Sequence, residues 1–413
     1  MKIVDIKAAY IGQEYIIRVC TDKGIDGYCS FEILNVDFSY AVLDWFKKQL
    51  IGVDPTSPND VMRRIRRMGG NKPWGKYVSA IEVCCWDIAG KEAGVPVYKL
   101  LGGKVRDKVR VYCSRYRNDL LPWKRPEDLY DPVKRAENIC KINEIGGFTL
   151  VKTAFGWHTT DYHRGMNADM DNAFNTQPLD TPHAEFVQNF GGSMMRAKGL
   201  DYWIDFAHKL RENVPKDIDL ALDCGPGWMP KDALIFAKAV ENDRFAWLED
   251  LITGDNTPYI CPERYRDITW NTTSRIHTGE QIYLRENYID LIEKHSVNVI
   301  GPDMNDVGGM GEMKFIAEHA NIHGINIAPH GIENGIFGMA ALVNLCAALP
   351  ENLVAFEYCA ATPLWWYDIV DWCPEPLINN GFVDVWDRPG LGISFDIPKA
   401  EKYLRPEDKD FFK

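Results

Sequence analysis

The sequence lacks the features of a membrane or secreted protein. Its longest apolar stretches, such as residues 338–349, fall well short of the roughly 18 residues that a membrane-spanning helix needs. The first ten residues alternate apolar and polar side chains like an edge strand, without the charged and then apolar layout of a secretion signal. We therefore expect a cytoplasmic protein that does not engage a membrane.

A disulfide framework and a CxxC motif are also missing. The eleven cysteines are an odd number, and no two of them stand in a CxxC arrangement. Most of them, including Cys84, Cys85, Cys140 and Cys346, lie inside apolar segments. We expect buried free thiols, which are usual in a reducing compartment.

Positive charge is scarce. The formal net charge is −12 at pH 7, and no basic patch dominates, so we expect no nucleic-acid partner. The nearest approach to a basic patch is the cluster of Arg63, Arg64, Arg66 and Arg67, whose spacing is typical of a solvated helix face. A small-molecule ligand is expected instead.

The composition and length support more than one folded unit. The chain has 413 residues, of which 46% are hydrophobic, and this length is typical of two or three domains. Residues 1–35 alternate like strands and residues 38–101 have helical patterns, so we expect an α+β domain over residues 1–108. The aromatic and proline-rich residues 371–413 are expected to return and complete it.

Repeated strand-and-helix units fill the chain between these two parts. A run of parallel strands separated by helices predicts a barrel over residues 109–370. The predicted strands are 109–113, 148–153, 218–223, 245–249, 276–280, 297–302, 325–330 and 353–358.

One connection in this pattern is unusually long. About forty residues, 156–198, separate the second strand from its helix, with little apolar periodicity. Because it leaves the carboxyl end of a strand, we interpret it as a lid or specificity loop; an insertion for subunit contacts is the alternative.

Three carboxylates, Asp223, Glu249 and Glu280, close three successive predicted strands. They are spaced by roughly 30 residues, about one strand-and-helix unit, so parallel neighbouring strands would bring them to one rim. An isolated acid after a strand is more often a helix cap. Three such acids at equivalent strand ends predict a site for a hard divalent cation, Mg²⁺ or Mn²⁺ rather than Zn²⁺.

The remaining strand ends also carry polar groups. His330 is the candidate base, and Asp303, one unit earlier, is placed to orient its imidazole. Lys152 would supply a fixed positive charge beside a developing enolate. Glu357 would hydrogen-bond a substrate carboxylate oxygen if protonated, or an orienting group if ionised. The alternative for His330, taken alone, is a buried core histidine whose ring nitrogens are hydrogen-bonded.

Three further polar residues near these strand ends receive structural interpretations. We interpret Asp306 as a loop cap and Asp250 as a helix cap or a supporting residue behind the site. His277, three residues before Glu280, is expected to face away from the metal.

The ordered set of residues resembles the enolase superfamily, and specifically its mandelate racemase-like subgroup. The match covers nearly the whole chain. Besides the seven strand-end residues, it is carried by the motifs at 80–91 (AIEVCCWDIAGK), 100–103 (LLGG), 302–309 (PDMNDVGG) and 388–393 (RPGLGI).

The resemblance implies a modified (β/α)7β TIM barrel under an α+β capping domain. It implies one Mg²⁺ per subunit on the triad, with Mn²⁺ as an alternative, a His330–Asp303 base and a carboxylate donor at Glu357. Specificity would come from capping loops near residues 28–37 and around Trp74, and from the long insertion. The residues expected to bind substrate are Trp74, Arg115, His158, Tyr162 and His163; one of the last three is also an alternative to His330 as the general acid. A dimer-based assembly, up to an octamer, is also implied.

One departure from the subgroup narrows the chemistry. Its usual Lys-x-Lys is here Lys152-Thr153-Ala154, so the base on the opposite face of the substrate is absent. Racemisation needs bases on both faces and is disfavoured. We therefore predict a hydro-lyase that dehydrates an aldonate or aldarate to a 2-keto-3-deoxy acid. The alternatives are an epimerase or cycloisomerase of the same superfamily, or a catalytically degenerate metal-binding homologue.

Overall fold

The structure is a computed structural model that describes residues 1–31, 39–68, 72–115, 128, 131–156, 197–225, 227–252, 260–331 and 335–413. For Lys72, Pro73 and Arg115 the backbone alone is described. Across these residues, no helix combines the length and the apolar character needed to cross a bilayer.

The N-terminal residues form a three-stranded antiparallel sheet of β1 (Ile3–Ile11), β2 (Glu14–Thr21) and β3 (Gly27–Phe31). The long, largely buried helix Lys72–Ala93 packs against β3. This approach requires a glycine at position 27, because a Cβ there would collide with the carbonyl oxygen of Cys84. The predicted α+β pattern is present in this part of the chain.

Eight parallel strands follow, as the sequence predicts, and they close into a barrel. Hydrogen bonding runs in the order β10-β9-β8-β7-β6-β5-β4-β11. The ring is completed where Val354 N donates to Ile327 O at 2.9 Å. The strands are β4 (Lys108–Arg115), β5 (Leu150–Ala154), β6 (Asp219–Asp223), β7 (Leu248–Glu249), β8 (Ile276–Thr278), β9 (Val299–Ile300), β10 (Asn326–Ile327) and β11 (Phe356–Cys359).

The helices cover the outside of the barrel and pack beneath the N-terminal sheet. They are α1 (Ser39–Leu50), α2 (Pro58–Ile65), α3 (Lys72–Ala93), α4 (Val97–Leu100), α5 (Pro132–Gly146), α6 (Ala197–Asn213), α7 (Pro230–Ala239), α8 (Pro262–Thr269), α9 (Ile289–Glu293), α10 (Met304–Val307), α11 (Met310–Ile322), α12 (Gly335–Ala348), α13 (Trp365–Ile369) and α14 (Ile397–Ala400).

The C-terminal residues contact both the barrel and the N-terminal sheet. Strand β12 (Phe382–Asp384) pairs antiparallel with β4 and so adds a ninth strand beside the barrel. Farther along, Asp408 accepts a hydrogen bond from Tyr10 N at 2.9 Å, and Lys7 Nζ reaches the carbonyl oxygen of Lys413 at 2.6 Å. The two ends of the chain are therefore tied together.

Asp87 joins α3, the N-terminal sheet and the C-terminal residues. This fully buried carboxylate accepts hydrogen bonds from Tyr28 N at 3.2 Å, Leu391 N at 2.9 Å and Lys91 Nζ at 2.6 Å. We expect Asp87→Ala to lower the free energy of unfolding by about 3–5 kcal/mol, because it leaves a partly buried ammonium and two amides unpaired. Urea denaturation measures the change.

Asp371 provides the matched control for this variant. It also accepts from a backbone amide and a cation, Ser394 N and Arg388 Nη2, but its side chain is 38% exposed. Asp371→Ala should cost no more than about 1 kcal/mol. Equal losses in the two variants would contradict the role given to Asp87.

Glu82, one turn earlier in α3, ties this helix to the start of α11. It accepts hydrogen bonds from Met310 N at 2.9 Å, Gly311 N at 3.0 Å and Trp86 Nε1 at 2.7 Å. Burial raises the pKa of the Glu82 carboxyl from 4.5 to about 7, although these hydrogen bonds oppose the shift.

The raised pKa makes stability depend on pH. Between about pH 4.5 and pH 7 the unfolded chain loses the Glu82 proton while the folded chain keeps it. The free energy of unfolding should therefore fall as pH rises through this window, by up to about 1.4 kcal/mol per pH unit from this group. Urea denaturation of wild type and Glu82→Gln across the window isolates the contribution, and identical pH slopes would contradict it.

Candidate active site

The site lies where the barrel strands end, above an apolar floor. Because side chains alternate along a strand, residues i and i+2 face the same side. Leu150, Ala221, Trp247, Ala328 and Ala355 belong to one buried cluster inside the barrel. The residues two positions after them are, in the same order, Lys152, Asp223, Glu249, His330 and Glu357. Five of the seven predicted polar groups thus sit directly above a floor residue.

The strand register brings the predicted acids to one rim. Asp223 and Glu249 are paired positions on β6 and β7, and Glu280 lies two residues beyond the end of β8. Asp303 and His330 are paired in the same way, through an isolated parallel bridge beyond β9 and β10. The sequence placed all five at strand ends, and the structure brings them together.

Lys152 lies at the centre of the negative charges. Its Nζ is 2.6 Å from Glu249 Oε1, 3.0 Å from Asp223 Oδ2 and 3.1 Å from Glu357 Oε1. Burial by itself would lower the pKa of Lys152, but the three carboxylates outweigh it and raise the pKa well above its ordinary value. Lys152 is therefore a buried, permanently charged ammonium.

His330 forms a dyad with Asp303. Its Nδ1 is 2.7 Å from Asp303 Oδ2, while its Nε2 faces Glu357 Oε2 at 3.2 Å and Glu280 Oε2 at 3.4 Å. Burial lowers the pKa of His330, but Glu280, Glu357 and Asp303 together raise it well above its ordinary value. An Asp303 carboxylate bound at Nδ1 leaves Nε2 as the nitrogen that faces the rim.

Glu249 carries the clearest sign of crowded negative charge. Burial raises its pKa to about 8; the ammonium of Lys152 opposes the shift, and Asp223, Glu280 and Glu357 add to it. The other oxygen of Glu249 accepts from Trp247 Nε1 at 2.8 Å. A cluster of buried acids that repel one another is one that a cation would stabilise.

The donor chemistry of Asp223, Glu249 and Glu280 fits a hard divalent cation, since the three offer carboxylate oxygens alone. Their mutual repulsion is the observation that supports the fit. In the structure, Lys152 contacts Asp223 and Glu249, and His330 contacts Glu280. Another possible metal-binding group lies elsewhere among the described residues. Glu293, His319 and His323 each offer one ligand atom, and these three atoms all lie within 4.8 Å of one another.

The expectation for His277 was wrong. This histidine is paired in register with Glu249 and faces the barrel interior, where Nδ1 is 3.4 Å from Glu249 Oε2. Its ring stacks on Trp247 with the centroids 5.1 Å apart. Burial, with the charge of Lys152, lowers the pKa of His277 to about 3, so the ring is a neutral wall of the site.

Asp250 lies behind the rim as a supporting residue, which is one of the two interpretations that the sequence suggested. Its carboxylate accepts from Thr278 Oγ1 behind the rim, and its backbone adopts a positive φ of 49°. Burial, with the charges of Glu280 and Glu249, raises its pKa well above the ordinary value. The raised pKa favours the neutral carboxyl, so Asp250 supports the rim from behind through its contact with Thr278.

The predicted substrate-binding residues are placed only in part. Trp74 is 40% exposed and lines an apolar hollow of about 450 Å³ with Ala41, Val42, Trp45 and Met68. Arg115 ends β4, and its side chain lies outside the described atoms. His158, Tyr162 and His163, like most of the long insertion, lie outside the described residues.

Sequence reasoning missed a buried ion pair beside the dyad. Asp306, interpreted as a loop cap, is instead buried inside α10, with its Oδ1 3.6 Å from Nζ of the equally buried Lys76 on α3. The cap of α10 is Asp303, whose side chain accepts from Asn305 N. The pKa of Asp303 is lowered, against the effect of burial, by His330 and also by the charge of Lys76. No local sequence pattern predicts a contact between Lys76 and Asp306, which are 230 positions apart.

We predict that the Lys76–Asp306 pair is energetically coupled. Lys76→Met alone should cost about 3–5 kcal/mol of unfolding free energy, because it leaves a buried carboxylate without its cation. The double variant Lys76→Met/Asp306→Leu should cost less than the sum of the single variants, by about 0.5–3 kcal/mol. Urea denaturation of the four proteins gives the coupling.

An exposed pair provides the control cycle. Lys209 Nζ and Asp205 Oδ2 are closer, at 2.6 Å, but both side chains are more than half exposed. Their coupling should not exceed about 0.5 kcal/mol. A coupling no larger in the buried pair would show that Lys76 and Asp306 are merely neighbours.

The barrel, the three-stranded sheet packed on it and the acidic rim define the class of protein. The chain matches the family models "Enolase C-terminal domain-like" over residues 146–400 and "Mandelate racemase / muconate lactonizing enzyme, N-terminal domain" over residues 8–102. It therefore belongs to the enolase superfamily, in its mandelate racemase and muconate lactonizing enzyme group. The resemblance drawn from the sequence is confirmed.

Its relatives by sequence are named as dehydratases. A D-xylonate dehydratase of Haloferax volcanii is 28% identical over 411 residues, covering 98% of this chain and 89% of the relative. A D-galactonate dehydratase family member of Salmonella virchow is 27% identical over 374 residues, covering 88% of this chain and 83% of the relative. The crystal structure of an enolase superfamily member from Salmonella Typhimurium matches with a TM-score of 0.77 at 23% identity, covering 98% of each chain.

Proposed function

We propose that this protein is a hydro-lyase that dehydrates a sugar acid, an aldonate or aldarate, to a 2-keto-3-deoxy acid. The observation that carries the proposal is the His330–Asp303 dyad, held at 2.7 Å, with its second nitrogen facing the acidic rim. The names of the relatives support the same substrate class, and they make D-xylonate and D-galactonate the first compounds to test.

Mg²⁺ is the proposed cofactor, with Mn²⁺ as the substitute, and Asp223, Glu249 and Glu280 would hold one ion per subunit. When bound, such an ion supplies a concentrated positive charge beside the substrate carboxylate and so stabilises the enolate. The ammonium of Lys152, fixed by its ion pairs to Asp223 and Glu249, adds a second positive charge that needs no reorganisation during the reaction.

His330 is the proposed base. Asp303 orients the ring through Nδ1. Burial favours the neutral ring, and a cation held by the three acids would offset the charges of Glu280 and Glu357 that favour the charged one, so that Nε2 can accept the proton from the carbon next to the substrate carboxylate. The resulting imidazolium then returns this proton to the departing β-hydroxyl, which leaves as water, and the enol product tautomerises to the keto acid. Glu357 lies beside both His330 Nε2 and Lys152. Burial raises the pKa of Glu357, but the charges of His330 and Lys152 outweigh it and lower the pKa to about 2, so we propose that the ionised Glu357 orients these two groups.

The absence of a lysine at position 154 favours this one-sided route. Ala154 ends β5 two residues after Lys152, and its backbone carbonyl accepts a hydrogen bond from Arg135. An alanine side chain cannot carry a proton. A single histidine that removes the α-proton and then releases the β-hydroxyl from the same side needs no partner there.

The decisive experiment is a screen of sugar acids with added Mg²⁺, read by detection of 2-keto acids. We expect wild type to dehydrate at least one aldonate or aldarate, and His330→Asn to lose at least about 10²-fold in rate because the base is gone. His208→Asn is the matched control, since His208 Nδ1 contacts Asp243 Oδ2 at 2.8 Å in a similar pair away from the rim. It should retain full activity.

The same screen separates dehydration from its alternatives. If wild type forms no 2-keto acid from any compound, the dehydratase proposal fails. Exchange of the α-proton with solvent deuterium, together with inversion and without keto acid, would identify an epimerase instead. Metal binding with neither turnover nor exchange would identify a binding protein.

A further inference from the structure

We propose that Glu293, His319 and His323 form a second, structural metal site for a borderline transition metal such as Zn²⁺. These residues are separate from the acidic rim, and their ligand atoms all lie within 4.8 Å of one another. Two imidazoles and a carboxylate are a frequent zinc donor set, whereas Mg²⁺ prefers oxygen ligands alone. The proposal does not depend on the proposed catalytic function.

The two histidines are arranged by the helix itself. His319 lies in the last turn of α11 and His323 is its C-cap, so the two are four positions apart and project from the same face. Their ring centroids are 4.8 Å apart. His319 is also fixed from the other side, because its ring stacks on Phe315 with an interplanar angle of 16°.

A polar atom without a partner points to a missing ligand. Within the described part of the chain, His319 Nε2 is buried and makes no hydrogen bond. It faces Glu293 Oε1 at 3.4 Å, too far and too poorly aligned for one. An ion bound between His319 and Glu293 would satisfy both groups.

The nearest lysine pairs with other acids, which leaves the Glu293 carboxylate available to an ion. Lys294, the neighbour of Glu293, directs its ammonium to Glu263 at 2.6 Å and to Asp290 at 2.8 Å. His295 stands at the edge of the cluster, with its ring centroid 5.8 Å from that of His323. It is in position to supply a fourth ligand, and water would otherwise complete the coordination.

The location assigns the site a structural role. Glu293 ends α9 six residues before β9, and His323 follows α11 three residues before β10. Both therefore lie near the amino ends of strands, the face of a barrel that serves stability, opposite the rim where catalysis occurs. A metal here would link α9 to the carboxyl end of α11.

The test measures Zn²⁺ binding by equilibrium dialysis at neutral pH, with Mg²⁺ in large excess to occupy oxygen sites. We expect wild type to bind one Zn²⁺ per chain, and His319→Ala/His323→Ala to bind it at least about tenfold more weakly. Co²⁺ in place of Zn²⁺ should give visible absorption bands of a nitrogen-ligated site in wild type, and these should be absent from the double variant.

Three controls make the result decisive. His208→Ala removes a histidine elsewhere on the surface and should bind Zn²⁺ like wild type. The circular dichroism of His208→Ala and of His319→Ala/His323→Ala should match that of wild type. Glu293→Gln keeps both imidazoles and should bind with intermediate affinity, which tests the site even if the double variant does not fold. Equal Zn²⁺ affinity in wild type, the double variant and Glu293→Gln would overturn the proposal.

Discussion

The rim depends on one buried positive charge. Lys152 contacts Asp223, Glu249 and Glu357, three carboxylates that the barrel removes from water. Burying several acids together is unfavourable unless cations neutralise them, and an ammonium in low dielectric is itself stable only beside anions. The lysine and the acids therefore hold each other in place. Removing the lysine would leave the acids to repel one another, which the raised pKa of Glu249 already reflects.

The N-terminal part of the chain is fastened to the barrel close to the dyad. Helix α3 sends Glu82 to the first amides of α11 and Lys76 to Asp306. The short helix α10 contains Asp306, and its N-cap is Asp303. The orientation of His330 thus rests on a loop that α3 supports from behind. This gives the N-terminal part a share in positioning the proposed base, beyond covering the barrel.

Much of this arrangement was predictable because it follows from local rules. Alternation along parallel strands places Asp223 above Ala221 and Glu249 above Trp247, so strand ends could be identified from the sequence together with their polar groups. Several strands are shorter than predicted, as with Leu248–Glu249, which lacks the first three residues of the predicted strand 245–249. What escaped prediction depends on register or distance: His277 faces inward because it pairs with Glu249, and Lys76 meets Asp306 only after folding.

The site is asymmetric, and the asymmetry has one origin. Lys152 and Ala154 share the inward face of β5, and Ala154 is paired in register with Asp223. A lysine at that position would lie beside Asp223, one of the proposed metal ligands, and offer a second proton carrier. With alanine there, β5 contributes a fixed charge through Lys152 and no proton carrier at position 154. The proposed dehydration would therefore rely on the dyad on the other side of the barrel, and the substrate would have to present both its α-proton and its β-hydroxyl to His330.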